Sequence, residues 1–414
     1  MSLIKPFAGL RPAPGRAAEV AAPPYDVMST AEARTMVADR PWSFLHISRP
    51  EVDLPEGVDP YGAAVYERAR ANLATMIDEG ILVRDPQPRY YVYRLTMGAH
   101  RQTGLAVTAS VAAYENDRIR RHELTRPVKE DDRVRQIEAL GAQTGPVFLV
   151  HPSTPAIDDR LEAVTRRDAP EVDITRADGV RHELWSIAEP EPIAELTAAF
   201  EALPALYVAD GHHRCAAAAR VAARRRDAMP NQDGDTPADH FLAVTFPHTQ
   251  MQVLDYNRVV RDLNGLDAET FLRRVGEVFE VTPSGAPVKP VRPGQFGLYL
   301  DGAWYLLAIG VERIPQDDPV ARLDVSLLQE HLIGPILGIA DPRRDERIDF
   351  VGGIRGLGGL TARVDSGEMC LAFTLFATRI EDLMAVADAG AVMPPKSTWF
   401  EPKLADGLVS HLLD

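Results

Sequence analysis

A run of chemically varied residues stands where an apolar segment of the chain ends. Apolar residues continue to position 209, and an aspartate and a glycine then interrupt them. The alanine-rich sequence that follows favours a helix, so the pattern predicts a strand, a tight turn and a helix. A helix N-terminus has exposed N–H groups and a partial positive charge, which suit an anion. The sequence therefore predicts a phosphate or nucleotide site formed by Asp210, Gly211, His212, His213 and Arg214.

Each residue type in this set has a chemical role at such a turn. Asp210 can cap the helix, and Gly211 lets the backbone approach a ligand closely. Arg214 offers a forked donor that matches phosphate oxygens. Both histidines can donate to a phosphate, and His213 is also a candidate for proton transfer. The alternative is a capped helix with two surface histidines and an arginine paired to a neighbouring acid.

A second cluster of charged residues occupies positions 122–133. The metalloprotease pattern needs a second histidine four residues after His122, and Arg126 stands there, so we exclude zinc hydrolysis. The alternative to a chemical role is a solvated helix start with i,i+4 pairs such as Arg126 with Glu130. The candidates for a general base are Glu123, Glu130 and Asp131. Asp131 and Asp132 are candidate ligands of Mg²⁺. Arg126 and Lys129 are candidates for binding an anionic group of the substrate.

In a third polar segment, residues 392–403, the adjacent Pro394 and Pro395 stiffen a loop. Lys396, Ser397 and Thr398 are candidates for binding a substrate carboxylate or phosphate. No glycine spacing of the Walker A type precedes Lys396, so this is not a P-loop. The alternative is a proline-bounded surface loop. The glycine-rich residues 355–360 fail the dinucleotide pattern and predict a turn.

Two shorter polar groups are weaker candidates for the same cleft. They are Tyr25 with Asp26, which follow two prolines, and residues 46–49. For both groups the residue types favour a structural role.

The remaining pattern predicts mixed secondary structure. Helices are expected at residues 30–40, 61–79, 323–333 and 380–390. Strands are expected at residues 89–97, 104–114, 146–151 and 241–246, with a hairpin at 297–310 that turns at Asp301 and Gly302. This order predicts an α/β to α+β fold with mixed sheets. Two regions are expected, an N-terminal α/β region over residues 1–260 with the nucleotide site and a C-terminal α+β lobe over residues 261–414.

Composition narrows the class of protein. The chain has 414 residues and a formal net charge of −15, which argues against a general surface for nucleic acid. Its two cysteines give neither a disulfide framework nor zinc spacing, which predicts a cytoplasmic protein. No apolar run reaches the length of a membrane span. The expected partners are a nucleotide and a small-molecule substrate, without nucleic acid or membrane, and an oligomer is possible.

Six motifs in this order resemble a large bacterial and archaeal family that is known only as a domain of unknown function. The resemblance covers nearly the whole chain, and it names a family without naming a reaction. The motifs lie at residues 6–12, 23–26, 125–133, 209–214, 256–258 and 393–398.

Residues 210–214 are also similar to the phosphate-binding motif of the ParB/sulfiredoxin superfamily. Its members include free-serine kinases with an Asp-Gly-His-His-Arg sequence of this kind, and others that hydrolyse CTP or use ATP to repair oxidised cysteine. The resemblance implies a ParB/sulfiredoxin-like strand–turn–helix. With the carboxylate cluster at residues 122–133, the expected cofactors are ATP or ADP and Mg²⁺. The resemblance also implies that Gly211, His212, His213 and Arg214 contact nucleotide phosphates. The acidic residue that such kinases use has no aligned position here.

These observations leave three hypotheses. The first is a nucleotide-dependent kinase that phosphorylates the hydroxyl of a small metabolite such as free serine. The second is a nucleotide-binding regulatory protein without turnover. The third is a hydrolase of a phosphorylated or amide substrate, for which the sequence offers no serine-centred elbow.

Overall fold

The chain divides into two compact units. The structure, a computed structural model, describes residues 2–228 and 234–414. Unit 1 comprises residues 1–251 and 402–414, and unit 2 comprises residues 252–401. The boundary expected from sequence lay at 260/261 and left the last residues with the second region. In the structure the strand at residues 256–260 belongs to a sheet of unit 2, and the C-terminal segment belongs to unit 1.

The elements have the following bounds. The strands are β1 (Ile4–Lys5), β2 (Leu10–Pro12), β3 (Leu82–Arg84), β4 (Tyr90–Met97), β5 (His100–Ser110), β6 (Ile119–Arg120), β7 (Ala142–Gln143), β8 (Val147–His151), β9 (Val172–Thr175), β10 (Arg181–Ile187), β11 (Leu206–Asp210), β12 (His240–Pro247), β13 (Val253–Leu254), β14 (Tyr256–Val260), β15 (Phe279–Ser284), β16 (Gln295–Leu300), β17 (Ala303–Ile309), β18 (Ile348–Gly352), β19 (Leu371–Leu375), β20 (Trp399–Phe400) and β21 (His411–Leu412). The helices are α1 (Ala17–Val20), α2 (Thr30–Val37), α3 (Leu45–Ser48), α4 (Ala63–Asp78), α5 (Val111–Glu115), α6 (Pro127–Leu140), α7 (Pro155–Arg167), α8 (Pro190–Glu201), α9 (His212–Ala228), α10 (Ala268–Val275), α11 (Asp324–Leu328), α12 (Gly356–Asp365) and α13 (Ile380–Asp388).

Unit 1 is built on a mixed nine-stranded sheet. The strand order is β6-β11-β8-β12-β5-β4-β10-β9, and β1 also pairs with β5. Strands β6 and β11 run parallel, as do β8 and β12, while the other pairs in the sheet are antiparallel. Helices α6 and α9 pack together through an apolar cluster that includes Val134, Ala217 and Val221. The mixed sheet with its helices confirms the predicted fold class.

The hairpin of β4 and β5 is tighter than the sequence predicted. Met97 pairs with His100, so a two-residue connection replaces the expected six-residue turn. Strand β5 ends at Ser110, because the Ser110 side chain accepts a hydrogen bond from the Ala113 N–H and caps helix α5. Residues 111–114 are therefore helical, whereas the sequence placed them in the strand.

Unit 2 is built on a six-stranded antiparallel sheet with the order β15-β17-β16-β19-β14-β18. The predicted hairpin is confirmed, since Leu300 pairs with Ala303 and both turn residues have positive φ, as a type I′ turn requires. The turn predicted at residues 355–360 is wrong. Those glycines open helix α12, because Leu360 is buried among apolar partners and its packing outweighs the low helix propensity of glycine.

Helix ends follow local sequence signals. Ser29 and Glu32 form a reciprocal capping box at the start of α2. Gly80 and Gly141, which have positive φ, follow the ends of α4 and α6. Over the described ranges, no helix is both long enough and apolar enough to cross a membrane.

Candidate functional site

The predicted strand, turn and helix are confirmed at residues 206–228. Strand β11 is buried until its last residue, and helix α9 begins at His212. Gly211 joins them with a φ of +95°, a left-handed conformation that residues with a side chain rarely adopt. A Cβ at this position would also lie 3.4 Å from the Val147 Cα and 3.5 Å from the Arg214 Cδ. Glycine is therefore the residue that fits this turn.

The first turn of α9 presents backbone N–H groups of the kind that bind anions. The Gly211 carbonyl accepts hydrogen bonds from the N–H groups of Arg214 and Cys215, at 2.8 and 3.1 Å. Within the described part of the chain, no group accepts from the N–H of His212 or His213, which come too early for an intrahelical partner. Two donors and the positive end of the helix dipole therefore lie together.

The Asp210 carboxylate fixes the turn. Its Oδ1 accepts the Gly211 N–H at 2.8 Å, and its Oδ2 accepts a hydrogen bond from Lys403 Nζ at 2.8 Å. The sequence predicted Asp210 as a helix cap, but its bond to the adjacent N–H lies outside the helix. Burial acts to raise the pKa of Asp210, and the charges of Lys403 and Arg214 outweigh it, so the pKa lies below its usual range. Asp210 is therefore ionised at neutral pH.

His212 is buried and neutral. Its Nε2 accepts the His122 N–H at 3.5 Å, its ring meets the His122 ring edge-on at 4.5 Å, and its Nδ1 lies 3.7 Å from Glu123 Oε2. Burial and the nearby His122 lower the pKa of His212 well below its usual value. Because Nε2 accepts a hydrogen bond, Nδ1 carries the proton that faces Glu123. Glu123 and His212 are thus brought together.

His213 is also held as a neutral ring. Its Nε2 accepts the Arg126 N–H at 3.0 Å, which leaves the proton on Nδ1. Burial lowers the pKa of His213, opposed by the nearby carboxylates of Glu130 and Asp26. His213 can therefore donate from Nδ1 to an anion, whereas it can accept a proton at Nε2 only after losing its bond to Arg126.

The Arg214 guanidinium is directed inward. Its NH1 donates to the Pro146 carbonyl at 2.5 Å and its NH2 to Asp26 at 3.3 Å. The neighbouring Asp26 raises the pKa of Arg214 against the effect of burial. The sequence predicted that this fork grips phosphate oxygens directly. In the structure it braces the turn and places a positive charge beneath it.

Tyr25 and Asp26 reach this site, although the sequence favoured a structural role for them. The Arg133 guanidinium stacks on the Tyr25 ring at 3.9 Å from its centre, and the Arg214 guanidinium lies 5.6 Å from the same ring. Tyr25 therefore links two cations from helices α6 and α9. Since Asp26 pairs with Arg214, both residues of this short segment contribute to the site.

The carboxylates at the start of α6 are distributed over separate partners. Asp131 is half-buried and pairs with Arg220 at 2.6 Å, and Glu130 pairs with the same guanidinium at 3.2 Å. Asp132 is buried, accepts from the Tyr66 hydroxyl at 2.9 Å and binds Arg133 at 2.7 Å. The structure therefore does not bring Asp131 and Asp132 together as a pair of metal ligands.

No group of three or more His, Cys, Asp or Glu side chains that could hold a metal ion occurs in residues 2–228 and 234–414. The side chains of Arg220 and Asp131 satisfy each other, and the Arg220 charge lowers the pKa of Asp131. Glu130 also accepts a hydrogen bond from the Thr125 hydroxyl. The i,i+4 pair of Arg126 with Glu130 is replaced by pairing between helices α6 and α9.

The remaining predicted groups of this segment lie at its surface. Lys129 is exposed, and its Nζ donates to the Tyr61 hydroxyl at 3.2 Å. Arg126 is exposed and binds His213 through its backbone. In the same segment, Leu124 is 68% exposed and Val128 is 62% exposed. The segment thus presents two cations and two apolar side chains near the helix mouth.

The C-terminal segment contributes two charged residues that a reading of neighbouring residues cannot assign to this site. Lys403 binds Asp210. Asp406 is 2% exposed, and its Oδ1 has no hydrogen-bond partner. Burial raises the pKa of Asp406 to about 7, although Arg214 opposes the shift. The only sequence signal for Lys403 was its place in a lysine-rich loop, and Asp406 gave none.

The predicted substrate loop lies in unit 2. Lys396 is exposed, has a positive φ of 59°, and its carbonyl accepts from the buried Arg258 at 3.1 Å. The Ser397 hydroxyl donates to the Pro394 carbonyl at 2.6 Å, so it stabilises the loop, and Thr398 is half-buried. A shared site of Lys396, Ser397 and Thr398 with residues 210–214 stays a prediction.

Most of the sequence matches one family model. The family described as "Protein of unknown function (DUF1015)" matches residues 4–326, and no curated protein matches the sequence. Three solved structures are similar in part, each aligned with 73% of this chain. They are a conserved hypothetical protein from Pyrococcus furiosus (15% identity, TM-score 0.35, 94% of that chain), a free serine kinase in complex with AMP (14%, 0.35, 92%) and SbnI with a C-terminal truncation from Staphylococcus aureus (10%, 0.37, 85%). At these TM-scores the likeness carries no argument about the site.

Proposed function

The chain belongs to the DUF1015 family, and we propose that unit 1 binds the phosphates of a nucleotide at the N-terminus of helix α9. One observation carries this proposal: after the left-handed Gly211, the N–H groups of His212 and His213 have no intrahelical acceptor at the positive end of a 17-residue helix. The neighbouring charges then decide which anion and what reaction.

The cations around the turn favour a polyphosphate over a single small anion. Lys403 lies on one side, held by Asp210, and Arg214 lies beneath the turn. Arg126 and Lys129 extend the positive charge along the exposed start of α6. Donors at several positions around the turn match the several phosphate charges of ATP or ADP better than they match one carboxylate.

We propose that the bound nucleotide donates a phosphoryl group to the hydroxyl of a small metabolite, with free serine as the first acceptor to test because of the Asp-Gly-His-His-Arg resemblance. Phosphoryl transfer depends mainly on positioning and charge neutralisation. Neutral His213 supplies a donor from Nδ1, and Glu123 orients His212. Glu130 and Asp131 serve the reaction less directly, because Arg220 binds both.

Mg²⁺ fits this proposal as a companion of the nucleotide. It would neutralise phosphate charge, and it needs only one or two protein carboxylates when phosphates supply the other ligands. Glu123 and Asp210 lie beside the first turn of α9, and Asp210 would bind the ion only by exchanging its contact with Lys403. Asp131 and Asp132 suit it less, since they face different partners.

The third hypothesis, a hydrolase, loses its one candidate nucleophile on chemical grounds. Cys215 is fully buried in α9, and burial raises the pKa of its thiol, so the reactive thiolate is disfavoured. The regulatory hypothesis keeps support from the pairing of Glu130 and Asp131 with Arg220, which leaves them poorly placed as bases.

The test combines binding and turnover on the full chain. ATP, ADP and CTP are titrated by calorimetry with Mg²⁺, and a panel of hydroxyl metabolites that includes L-serine is examined for a new phosphoester by mass spectrometry. Arg214→Lys keeps the charge but loses the fork, and we expect about tenfold weaker nucleotide binding. Arg224→Lys is the matched control, because Arg224 lies on the same helix and pairs with Glu138 at the surface.

The outcomes separate the hypotheses. An acceptor-dependent phosphoester supports the kinase. Nucleotide binding without a product from any acceptor supports the regulatory protein. No binding of any nucleotide, with the fold intact by circular dichroism, removes the phosphate-site proposal.

A further inference from the structure

A small cavity lies directly beside Arg214 in unit 1. Its volume is about 30 Å³, which is room for about two water molecules or one small polar group. Apolar side chains form part of its wall, including Val147 and Phe241. The polar part of the wall includes Tyr25, Arg133, Arg214 and Asp406, together with Ser48, Gln136, Gln143 and Thr144.

Three buried side-chain atoms on this wall lack a hydrogen-bond partner, and one of them is the Ser48 Oγ. The other two are the Nε of Arg214, a donor, and the Oδ1 of Asp406, an acceptor. The Arg214 side chain is 11% exposed and Asp406 is 2% exposed, so bulk water does not satisfy them. An unpaired buried donor or acceptor destabilises the folded state. Their presence on one cavity indicates that the cavity is built for an occupant.

Gly145 shows where that occupant fits. A Cβ on Gly145 would lie 3.5 Å from Asp406 Oδ1 and 3.6 Å from Arg214 Nε. The two unpaired atoms therefore flank one space, which is open because residue 145 has no side chain. One donor and one acceptor that face the same space match a hydroxyl group, which is itself both an acceptor and a donor.

We propose that this cavity takes the hydroxyl group of a small alcohol acceptor, with Arg214 Nε donating to its oxygen and Asp406 Oδ1 accepting its proton. The inference rests on the proposed phosphoryl transfer and adds the acceptor site to it. Arg214 then links two halves of one site, since its backbone belongs to the phosphate turn and its Nε belongs to the acceptor cavity.

The step balances with the nucleotide as the only co-reactant. The acceptor oxygen forms a bond to the terminal phosphorus of a nucleoside polyphosphate. The bond from that phosphorus to its bridging oxygen breaks, and its electron pair leaves with the shortened nucleotide. The hydroxyl proton passes to the Asp406 carboxylate, which releases it to solvent when the product leaves.

The protonation behaviour of Asp406 agrees with this role. Burial raises the pKa of Asp406 to about 7, which is the range in which a general base works best near neutral pH. The charged groups that face it are Arg214 on α9, Arg133 on α6, Asp26 and Arg176. Asp26 raises the pKa, and the three arginines lower it.

Three variants of the full chain test the inference. Asp406→Asn is isosteric with the protonated acid, and we expect kcat for the acceptor to fall by about 100-fold or more. Gly145→Ala places a methyl group in the cavity, and we expect at least about a tenfold loss in kcat/KM for the acceptor. Gly285→Ala is the matched control, since Gly285 has an ordinary φ and open space around its Cβ position. For all three we expect an ADP dissociation constant within about twofold of the wild-type value.

The acceptor panel of the previous section, with L-serine included, provides the readout together with a pH profile. For wild type we expect kcat/KM for the acceptor to rise with pH and to level off above about pH 7, and for Asp406→Asn this rise should disappear. Turnover that is unchanged in both Asp406→Asn and Gly145→Ala overturns the inference and leaves the kinase in place. If the cavity holds only structural water, turnover should be unchanged in both variants. The absence of a phosphoester with every acceptor overturns the kinase and the inference with it.

Discussion

The ionised carboxylate of Asp210 connects the turn at Gly211 to the C-terminal segment of unit 1. Its carboxylate binds the Gly211 N–H on one side and Lys403 on the other. Its side chain is 34% exposed and that of Lys403 is 21% exposed, so solvent screens the pair in part. We therefore expect the contribution of this pair to stability to lie between that of an exposed ion pair and that of a buried one.

We predict that Lys403→Met lowers the free energy of unfolding by about 1 kcal/mol at pH 7. Because the pKa of Asp210 is lowered in the folded state, the stabilisation is present above the unfolded pKa and is lost as the pH falls through the folded value. The difference between variant and wild type should therefore shrink in acid. Urea unfolding at pH 7 and pH 3 measures it.

The control for this prediction is the same substitution at an exposed lysine that lies farther from its partner carboxylate. Lys289 lies 3.8 Å from Asp255 and its side chain is 68% exposed, so Lys289→Met should change stability by less than about 0.5 kcal/mol. Equal effects of the two substitutions at pH 7 would show that the Asp210 pair contributes no more than a surface contact.

At the scale of elements, the strand–turn–helix depends on one backbone conformation. Gly211→Ala forces a side chain into a left-handed φ and brings a Cβ to 3.4 Å from the Val147 Cα. We predict a loss of stability of about 1–2 kcal/mol. We also predict weaker ADP binding, because the N–H groups of His212 and His213 would be displaced.

Gly179→Ala separates backbone strain from the role of the site. Gly179 has a φ of +80° and nothing within 4 Å of its Cβ position. It should lose a similar amount of stability while keeping its affinity for ADP, measured by calorimetry. If both variants bind ADP as wild type does, the first turn of α9 is not the nucleotide site.

Elements that depend on consecutive residues could be predicted from the sequence. Residues 210–214 could be predicted because strand, turn and helix are consecutive and each has a local signal. The turn at Asp301 and Gly302 was predicted for the same reason. Helix α12 was missed because the packing of Leu360 decides its conformation, and glycine composition alone indicates the opposite.

Contacts between distant segments could not be predicted from one sequence. Tyr25 with Asp26, residues 210–214, and Lys403 with Asp406 lie far apart along the chain and meet in unit 1. No local pattern encodes such pairings, since each depends on the order of strands in the sheet. Asp406 is the clearest case, because a lone aspartate near the end of a chain carries no sequence signal until its burial is known.

At the scale of the whole molecule, unit 2 is an insertion in the sequence of unit 1. The chain enters unit 2 at Gln252 and leaves it at Glu401, and the Glu401 N–H donates to the Gln252 carbonyl at 3.2 Å. Strands β13 and β20, next to these ends, pair with each other. The two ends of the insertion are therefore adjacent, which is the geometry that tolerates removal and rejoining.

We predict that a chain in which a short Gly-Ser linker replaces residues 252–401 folds and binds ADP within about threefold of the full-length affinity, because every contact described at the phosphate turn lies in unit 1. The same chain tests the role predicted for Lys396, Ser397 and Thr398. If these residues bind the acceptor, phosphoester formation is lost while ADP binding is kept.

A second shortened chain, which also lacks residues 402–414, supplies the contrast. Leu404, Leu408 and Val409 are buried, and β21 pairs with β7, so this chain should fail to fold. Loss of ADP binding from the first chain, with cooperative unfolding retained, would place part of the nucleotide site in unit 2. Phosphoester formation by the first chain would instead show that the acceptor site lies in unit 1, where Asp406 and Gly145 lie.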